Sequence, residues 1–261
     1  MDQLEQDWEA FKQKFNAKAG IDLNYYKRAQ MQRRITNLMN RHGHSSYTAF
    51  FSQLEKDPKA YKEFVEYITI NVTEFFRTPE KFEELEKKVL ADLLQRSPKL
   101  NIWSAGCSMG AEPYSLSMIL ADLTPSTRHR ILATDLDEEV LGKAREGKFS
   151  ANEYKNISTH RASKYFTKEG ERYVVVPDIR SRVEFKKHNL LLDKFENSFD
   201  LILCRNVVIY FTEEAKDSLY RRFLEALKPG GVLFVGGTEA ILNFRDIGYQ
   251  SYMPFFYQKP F

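Results

Sequence analysis

The fold of this chain is decided by residues 101–114, which read Asn101-Ile102-Trp103-Ser104-Ala105-Gly106-Cys107-Ser108-Met109-Gly110-Ala111-Glu112-Pro113-Tyr114. The apolar residues at the start of this stretch predict a buried strand, and the residues at its end open a predicted helix. Between them, two glycines four residues apart let the backbone turn tightly and approach a ligand without a Cβ atom in the way. Any strand-to-helix turn can use glycine, so these glycines alone indicate a turn and no particular ligand.

Short apolar runs alternate with amphipathic stretches through the C-terminal part of the chain. The predicted strands are residues 101–103, 131–133, 183–185, 201–204 and 232–235. The predicted helices between them cover residues 113–122, 137–146 and 213–227. Strands that are apolar on both faces and alternate with helices predict an α/β fold with a parallel sheet covered by helices.

Residues 149–182 interrupt this alternation. They begin with polar, helix-like sequence and continue into Tyr173-Val174-Val175-Val176-Pro177. We interpret this segment as an insertion that contains a short antiparallel strand pair. Its linking turn is expected at Pro177-Asp178-Ile179-Arg180-Ser181, which contains no glycine.

The first seventy residues predict helices throughout. Apolar residues recur there at helical spacing, for example Trp8, Phe11 and Phe15 on one face of the first helix. Further helices are expected over residues 24–41, from Ser45 or Ser46 to Pro58, and over residues 59–70. We interpret the aromatic side chains as the core of a small helical bundle, in preference to an aromatic recognition platform.

Composition and cysteine content narrow the class of protein. The chain has 261 residues, of which 43% are hydrophobic and 29% charged, as is typical of a globular protein. No apolar run approaches the roughly 20 residues that span a bilayer, and the acidic, polar N-terminus does not resemble a secretory signal. Two cysteines, Cys107 and Cys204, predict neither a disulfide framework nor a metal site, and a cytoplasmic location is expected. His42 and His44 are interpreted as surface residues, and no metal is expected.

Positive charge is concentrated near the N-terminus. Residues 23–54 contain no Asp or Glu but include five basic residues, Lys27, Arg28, Arg33, Arg34 and Arg41. A solvated helix face usually carries both signs, so this segment favours an acidic partner over an inert surface.

Two carboxylates are predicted at the carboxyl ends of the strands, where an open α/β sheet binds its ligands. Glu112 stands at the helix N-terminus where a dinucleotide would need its pyrophosphate, and a carboxylate there repels phosphate. S-adenosylmethionine has an ammonium and a sulfonium but no phosphate, so Glu112 favours this cofactor, although it could merely complement the helix dipole. Asp135 ends the second strand and can accept both ribose hydroxyls. Alternatively it caps the next helix, for which Asp137 is equally placed.

Three stretches together resemble a known family. They are Asn71-Val72-Thr73-Glu74-Phe75-Phe76-Arg77, Gly106-Cys107-Ser108-Met109-Gly110-Ala111-Glu112-Pro113-Tyr114-Ser115 and Cys204-Arg205-Asn206-Val207-Val208-Ile209-Tyr210-Phe211. In this order they resemble the chemotaxis receptor methyltransferases, CheR, and the resemblance extends over nearly the whole chain. It implies transfer of a methyl group from S-adenosylmethionine to glutamates on the cytoplasmic helical domain of chemoreceptors, with S-adenosylhomocysteine as product.

The resemblance also implies a domain organisation. A helical domain that contacts the receptor is expected over residues 1–70, and a linker with a first helix that contributes to the cofactor site over residues 71–97. A Rossmann-like methyltransferase domain is expected over residues 98–261, with the β insertion at about residues 149–182. Whether this insertion docks a receptor tail, as in some family members, stays open. We expect a monomer that binds no nucleic acid and does not insert into a membrane.

The same resemblance assigns site residues. The residues expected around the cofactor are Asn71, Thr73, Arg77, Glu112, Asp135, Asn189, Leu190, Arg205 and Asn206. Arg77 and Tyr210 are expected nearest the transferred methyl, in a chemical or a positioning role. The excess of positive charge in residues 23–54, and not the resemblance, leads us to expect that Arg33, Arg34 and Arg41 meet acidic residues that flank the target glutamates of the receptor.

The expected chemistry needs little catalytic machinery. A glutamate side chain, with a reference pKa of about 4.3, is already a nucleophilic carboxylate at neutral pH and requires no general base. Two other functions stay open: a nucleic-acid methyltransferase, and a module that binds the cofactor without catalysis. Against the first, residues 204–210 lack the Pro-Pro-aromatic sequence of enzymes that methylate amino groups of bases.

Overall fold

A computed structural model describes residues 3–69 and 72–261 of the chain. The described residues form two compact units. The first unit combines the N-terminal helices with Ile209–Lys216, and the second contains Val72–Val208 and Asp217–Phe261. Within the described ranges, none of the helices has both the length and the apolar character needed to cross a bilayer.

The N-terminal part of the first unit is helical, as predicted. Its α-helices are α1 Gln3–Ala19, α2 Arg28–Arg41, α3 Tyr47–Leu54 and α4 Pro58–Thr69. The helix predicted from residue 24 begins later, because Leu23–Tyr25 form a 3-10 turn whose cap, Asp22, accepts a hydrogen bond from the Asn24 N–H at 2.9 Å. Ser46 caps α3 as predicted, its hydroxyl accepting from the Ala49 N–H at 3.2 Å. The predicted end of the last helix, Ile70, lies outside the described residues.

Aromatic side chains fill the core of this unit. Trp8, Phe11, Phe51 and Phe64 are buried, and Phe11 meets the ring of Phe51 edge-on at 5.6 Å between centroids. Edge-to-face packing of this kind stabilises a core beyond the area it buries. The interpretation of these aromatic residues as core is confirmed.

The second unit is built on two sheets. In chain order its strands are β1 Asn101–Ala105, β2 Arg130–Asp135, β3 Lys148–Phe149, β4 Phe166–Glu169, β5 Arg172–Val175, β6 Val183–Lys187, β7 Phe199–Cys204, β8 Leu227–Val235, β9 Gln250–Met253 and β10 Phe256–Gln258. The large sheet has the order β6-β2-β1-β7-β8-β10-β9, and β6 through β8 in this order are parallel. The predicted α/β fold is confirmed.

Helices connect these strands. The α-helices C-terminal to Val72 are α5 Pro79–Glu84, α6 Ala91–Arg96, α7 Ala111–Leu123, α8 Glu138–Glu146, α9 Ala151–Tyr154, α10 Thr159–Tyr165, α11 Pro177–Arg180, α12 Glu213–Ala226 and α13 Phe244–Ile247. A π-helical turn, Leu85–Leu90, joins α5 to α6, and a 3-10 turn covers Val208–Tyr210. Residues 113–122, 137–146 and 213–227 were predicted as helices, and α7, α8 and α12 occupy these positions.

The insertion differs from the predicted strand pair. It contains three antiparallel strands in the order β3-β5-β4. The turn that links β4 to β5 lies at Gly170, which has a φ of +57°, so the expectation of a turn at residues 177–181 without glycine was wrong. Pro177 instead begins α11, because the fixed φ of proline suits the first position of a helix.

The last two strands, β9 and β10, were not predicted. β10 pairs antiparallel with β8 and places the fully buried Phe256 opposite Phe234, so it extends the sheet beyond its parallel part. Both strands are very short, and a run of three or four residues does not establish a period in the sequence.

Candidate functional site

The glycine turn after β1 is held by close packing. Gly106 has a φ of +81°, and a Cβ atom there would lie 2.5 Å from Val207 Cγ2. Gly110 precedes α7 with a φ of +90°, and a Cβ atom there would lie 3.1 Å from Ala144 Cβ. The left-handed backbone favours glycine at both positions, and at Gly106 the lack of space excludes a larger residue as well. At Gly106, the group that approaches the backbone is a side chain from the segment after β7.

Glu112 lies in the first turn of α7 and is paired. Its Oε1 accepts a hydrogen bond from Ser104 Oγ at 2.8 Å, and its Oε2 lies 3.3 Å from Arg205 Nη1. The sequence predicted a carboxylate at this position but not its partners, and the Arg205 guanidinium offsets part of its charge. The alternative of a carboxylate that only complements the helix dipole does not account for these two partners.

Arg205 follows β7 and is almost completely enclosed. Its side chain is 3% exposed, and its Nη2 donates to the backbone carbonyl of Arg77 at 2.7 Å. Its guanidinium also lies over the rings of Phe234, at 4.5 Å, and Phe82, at 5.1 Å. Burial lowers the pKa of Arg205, against the opposing effect of Glu112. Arg205 thus ties the segment of Arg77 to the N-terminus of α7.

Asp135 ends β2 as predicted. Its Oδ2 accepts from the Ser108 N–H at 2.8 Å and its Oδ1 from the Asp137 N–H at 3.1 Å. The cap of α8 is Asp137, whose Oδ1 accepts from the Glu139 N–H at 3.0 Å, so the alternative role of Asp135 as a cap does not hold. Burial raises the pKa of Asp135, although these N–H donors oppose the rise.

Asn189 and Leu190 follow β6, beside Asp135. The N–H of His188 donates to the Asp135 carbonyl at 2.9 Å, which brings the two strand ends together. Asn189 Oδ1 accepts from the Leu191 N–H at 2.9 Å and shapes the turn. Leu190 is buried, and its carbonyl accepts from Arg222 Nη1 at 2.6 Å. These two residues therefore lie at the same edge of the sheet as Asp135.

The segment before α5 contains two non-glycine residues with left-handed backbone, Phe76 with a φ of +47° and Thr78 with a φ of +62°. Thr78 precedes the first residue of α5, Pro79, and its side chain forms no capping hydrogen bond. The Phe76 N–H donates to Ser115 Oγ at 3.0 Å, and so the buried hydroxyl of α7 holds this strained segment.

Thr73 and Arg77, both predicted cofactor residues, flank this segment and are half-buried. The Phe75 N–H between them donates to the Glu153 carbonyl of the insertion at 3.0 Å. Asn71, the remaining predicted residue of the stretch, lies outside the described residues.

Tyr210 belongs to the first unit and is half-buried. Its backbone carbonyl accepts from the Lys27 N–H at 2.8 Å. Next to it, Phe211 forms an antiparallel bridge with Tyr26, and the two rings meet edge-on at 5.1 Å. The position of Tyr210 within its unit is therefore set by the residues that precede α2.

The three arginines of α2 have different surroundings. Arg34 Nη2 donates to the Tyr67 carbonyl at 2.6 Å, and its guanidinium lies 4.5 Å from the centroid of the Tyr67 ring. Arg33 and Arg41 are exposed and form no ion pair with any residue that the structure describes. Arg34 therefore has a structural task within the unit, and the other two arginines remain open to a partner.

Neither cysteine offers a reactive thiolate. Cys107 and Cys204 are both buried, and burial raises the pKa of each thiol well above its ordinary value. Since the thiolate is the nucleophilic form, these cysteines are poorly suited to covalent catalysis.

The sequence reasoning missed two residues of this site. Ser104, in the middle of β1, supports Glu112, and nothing in its local sequence distinguishes it. Glu239 is a buried carboxylate that follows β8. A signal for it exists, because Gly236-Gly237-Thr238-Glu239 comes directly after a buried strand, as the glycine turn and Glu112 do after β1.

The chain is similar in sequence to known proteins over nearly its whole length. The family described as "CheR methyltransferase, all-alpha domain" matches residues 6–69, and "CheR methyltransferase, SAM binding domain" matches residues 71–253. Two relatives, both called chemotaxis protein methyltransferase, come from Listeria monocytogenes, 42% identical, and Listeria innocua, 40% identical, each over 98% of both chains. Chemotaxis protein methyltransferase 1 of Pseudomonas aeruginosa is 36% identical over 92% of both chains. The chain therefore belongs to the CheR methyltransferase family.

Proposed function

We propose that this protein transfers a methyl group from S-adenosylmethionine to glutamate side-chain carboxylates of chemoreceptors. The products are a glutamate methyl ester and S-adenosylhomocysteine. The observation that carries this proposal is the match of both CheR domains, in order, over nearly the entire chain.

In the proposed reaction, a carboxylate oxygen attacks the methyl carbon of the sulfonium. A C–O bond forms while the C–S bond breaks, and the bonding electron pair returns to sulfur. An anion and a cation become two neutral groups, and no proton has to move. The protein then needs to align donor and acceptor, and orientation of this kind contributes several kcal/mol, on the order of 7 or more in favourable cases.

The cofactor is proposed to bind at the carboxyl edge of β1, β2, β6 and β7. Asp135 accepts the ribose hydroxyls, and Glu112 favours the ammonium group on the amino acid part of the cofactor. The proposed set of cofactor residues is Asn71, Thr73, Arg77, Glu112, Asp135, Asn189, Leu190, Arg205 and Asn206. The hydrogen bonds that hold Glu112 to Arg205, and Arg205 to the Arg77 carbonyl, support a site that is formed before the cofactor arrives.

Arg77 and Tyr210 are proposed to orient the acceptor carboxylate. A tight ion pair with an arginine would make the carboxylate a poorer nucleophile, so a shaping role is favoured over a permanent salt bridge. On α2, the exposed Arg33 and Arg41 are proposed to attract acidic residues that flank the target glutamates. Arg34, which donates a hydrogen bond to the Tyr67 carbonyl, is proposed to hold α2 in the position in which it presents Arg33 and Arg41.

Labelling of a purified chemoreceptor cytoplasmic fragment with tritiated S-adenosylmethionine tests the function. We expect label on the receptor that is released as methanol by mild base, because esters hydrolyse in base whereas methylated amines do not. Parallel incubations with RNA and DNA should remain unlabelled. Label on nucleic acid, or base-stable label on the receptor, would contradict the proposal. Binding of the cofactor without any transfer would instead indicate a non-catalytic module.

A further inference from the structure

We infer that Glu239 is a positioning residue that sets the conformation of the cofactor-binding segment after β7, an inference that rests on the proposed function. Glu239 is 5% exposed and follows β8 by four residues. A carboxylate so deeply buried is costly unless it is fully hydrogen-bonded, so its partners indicate its task.

Its partners include backbone N–H groups from the ends of two neighbouring strands. Glu239 Oε2 accepts from the N–H of Asn206 at 2.5 Å and from that of Gly236 at 2.9 Å. Its other oxygen, Oε1, accepts from the Val208 N–H at 2.9 Å. One side chain thereby fixes residues on both sides of Val207 and joins them to the end of β8.

The segment that Glu239 holds has an uncommon backbone conformation. Asn206 has a φ of +60°, in the left-handed region that most residues other than glycine avoid and that asparagine tolerates best among them. The hydrogen bonds of Glu239 to the Asn206 and Val208 N–H groups hold the chain in this conformation. Between them, Val207 packs against the backbone of Gly106 in the glycine turn. The carboxylate therefore sets the orientation of Asn206 and one wall of the turn after β1.

The Glu239 carboxylate packs closely against Gly236. A Cβ atom on Gly236 would lie 2.4 Å from Glu239 Oε2 and 3.0 Å from the Asn206 nitrogen. A methyl group at Gly236 would thus displace the carboxylate without removing its charge. The adjacent Gly237 has nothing within 4 Å of the equivalent position, which makes it a matched control.

The first experiment uses Glu239→Gln in the full chain. The glutamine oxygen can replace Oε2, but its amide then points an N–H group at the Val208 N–H, so one hydrogen bond is lost. We expect affinity for S-adenosylhomocysteine, measured by calorimetry well below the unfolding temperature, to fall by roughly ten-fold. Affinity for S-adenosylmethionine should fall equally, since a positioning defect does not depend on the sulfonium charge. Amide hydrogen exchange at Val208 should accelerate in the variant even without cofactor.

Asp200 provides the control for stability. Asp200 is also buried, its Oδ2 accepts from the Asn101 N–H at 2.7 Å, and it pairs with Lys228. It lies near the amino end of β7, whereas the proposed cofactor residues lie at the carboxyl ends of the strands. Asp200→Asn should lower the unfolding temperature and leave cofactor affinity unchanged. If it weakens cofactor binding as much as Glu239→Gln does, the loss reflects general destabilisation and the inference is wrong.

The second experiment compares Gly236→Ala with Gly237→Ala. Gly236→Ala should weaken binding of S-adenosylhomocysteine as Glu239→Gln does. Gly237→Ala should bind it with the same affinity as the unsubstituted protein. Because charge is retained, this pair gives an answer even if Glu239→Gln fails to fold. Normal affinity in folded Glu239→Gln and Gly236→Ala proteins would overturn the inference while leaving the proposed function intact. Failure of the unchanged protein to bind either nucleoside would instead contradict the proposed function and this inference with it.

Discussion

Arg205 and Glu112 form an enclosed ion pair between the end of β7 and the start of α7, with 3.3 Å between Nη1 and Oε2. The Arg205 side chain is 3% exposed and that of Glu112 is 17% exposed, so solvent screens this pair only weakly. Removal of one partner leaves the other as an uncompensated buried charge, which is costly.

Glu112→Gln should therefore lower the free energy of unfolding by about 3 kcal/mol, measured by denaturant titration. The double variant Glu112→Gln with Arg205→Met should recover part of this loss, because neither charge then remains. The single variant Arg205→Met completes the comparison. If the loss in the double variant equals the sum of the losses in the two single variants, the residues do not interact, against the observed geometry.

Cofactor affinity should depend on pH through Asp135. Burial raises the pKa of this carboxyl group, so its protonation begins at a higher pH than that of an ordinary aspartate. A protonated carboxyl group loses acceptor capacity for ribose hydroxyls, and affinity for S-adenosylhomocysteine should fall as the pH is lowered. Calorimetry across a pH series measures this. Asp135→Asn should bind more weakly and lose that part of the pH dependence, whereas an unchanged pH profile in this variant would exclude Asp135 as the titrating group.

Tyr210→Phe tests the alignment of the acceptor. Loss of the hydroxyl should lower kcat for receptor methylation by roughly ten-fold, the scale of one lost orienting hydrogen bond. Affinity for S-adenosylhomocysteine should stay the same. The backbone carbonyl of Tyr210, which accepts from Lys27, is retained in this variant, so the fold of the segment is not disturbed. If turnover and affinity both match the unchanged protein, Tyr210 has no role in the reaction.

Charge reversal on α2 separates partner binding from structure. Arg33→Glu with Arg41→Glu should raise KM for the receptor fragment, with an effect that shrinks at high ionic strength, because exposed charges are screened by salt. Lys14→Glu with Lys56→Glu changes the net charge equally at two exposed positions, one on α1 and one in the turn after α3, and should have little effect. If both double variants methylate the receptor fragment equally well, α2 does not take part in receptor binding.

Arg34→Glu should behave differently from these surface variants. It removes the hydrogen bond to the Tyr67 carbonyl and the contact with the Tyr67 ring, so a lower unfolding temperature is expected. A variant with normal stability would show that this contact contributes nothing to the unit.

Asp122 should stabilise the second unit in a pH-dependent way. Its carboxylate accepts hydrogen bonds from Lys164 at 2.7 Å, Tyr165 at 2.6 Å and Arg161 at 3.0 Å. Burial raises the pKa of Asp122, but these three donors outweigh burial and lower it overall. The stabilisation is therefore complete above the pKa that Asp122 has in the unfolded state. It is lost as the pH falls through the lower pKa that Asp122 has in the folded state.

Asp122→Asn should accordingly lower the free energy of unfolding by about 1–3 kcal/mol at neutral pH, and by less in acid. Glu169→Gln, which alters an exposed ion pair with Lys148, provides the control and should change stability little. A pH-independent loss in Asp122→Asn would contradict the assignment of the lowered pKa to this network.

Local sequence determined much of the framework. The helical periodicity around Phe11, the apolar strands and the glycines at Gly106 and Gly110 each follow from forces within one segment, namely the burial of one face and the conformations open to glycine. For the same reason Asp135 could be placed at the end of β2. Three motifs in the right order were enough to indicate the family, because each one carries residue types that strand ends and helix starts rarely combine by chance.

Only the tertiary structure decided how charges are partnered. The position of Glu112 at a helix N-terminus follows from the sequence, but its pairing with Arg205, 93 positions away, does not. The glycine of the insertion turn lies at Gly170, and the buried Glu239 holds Asn206 across 33 positions. The physical reason is that propensity and periodicity act over a few residues, whereas the energy of a buried charge depends on whichever groups the completed fold brings within hydrogen-bonding distance.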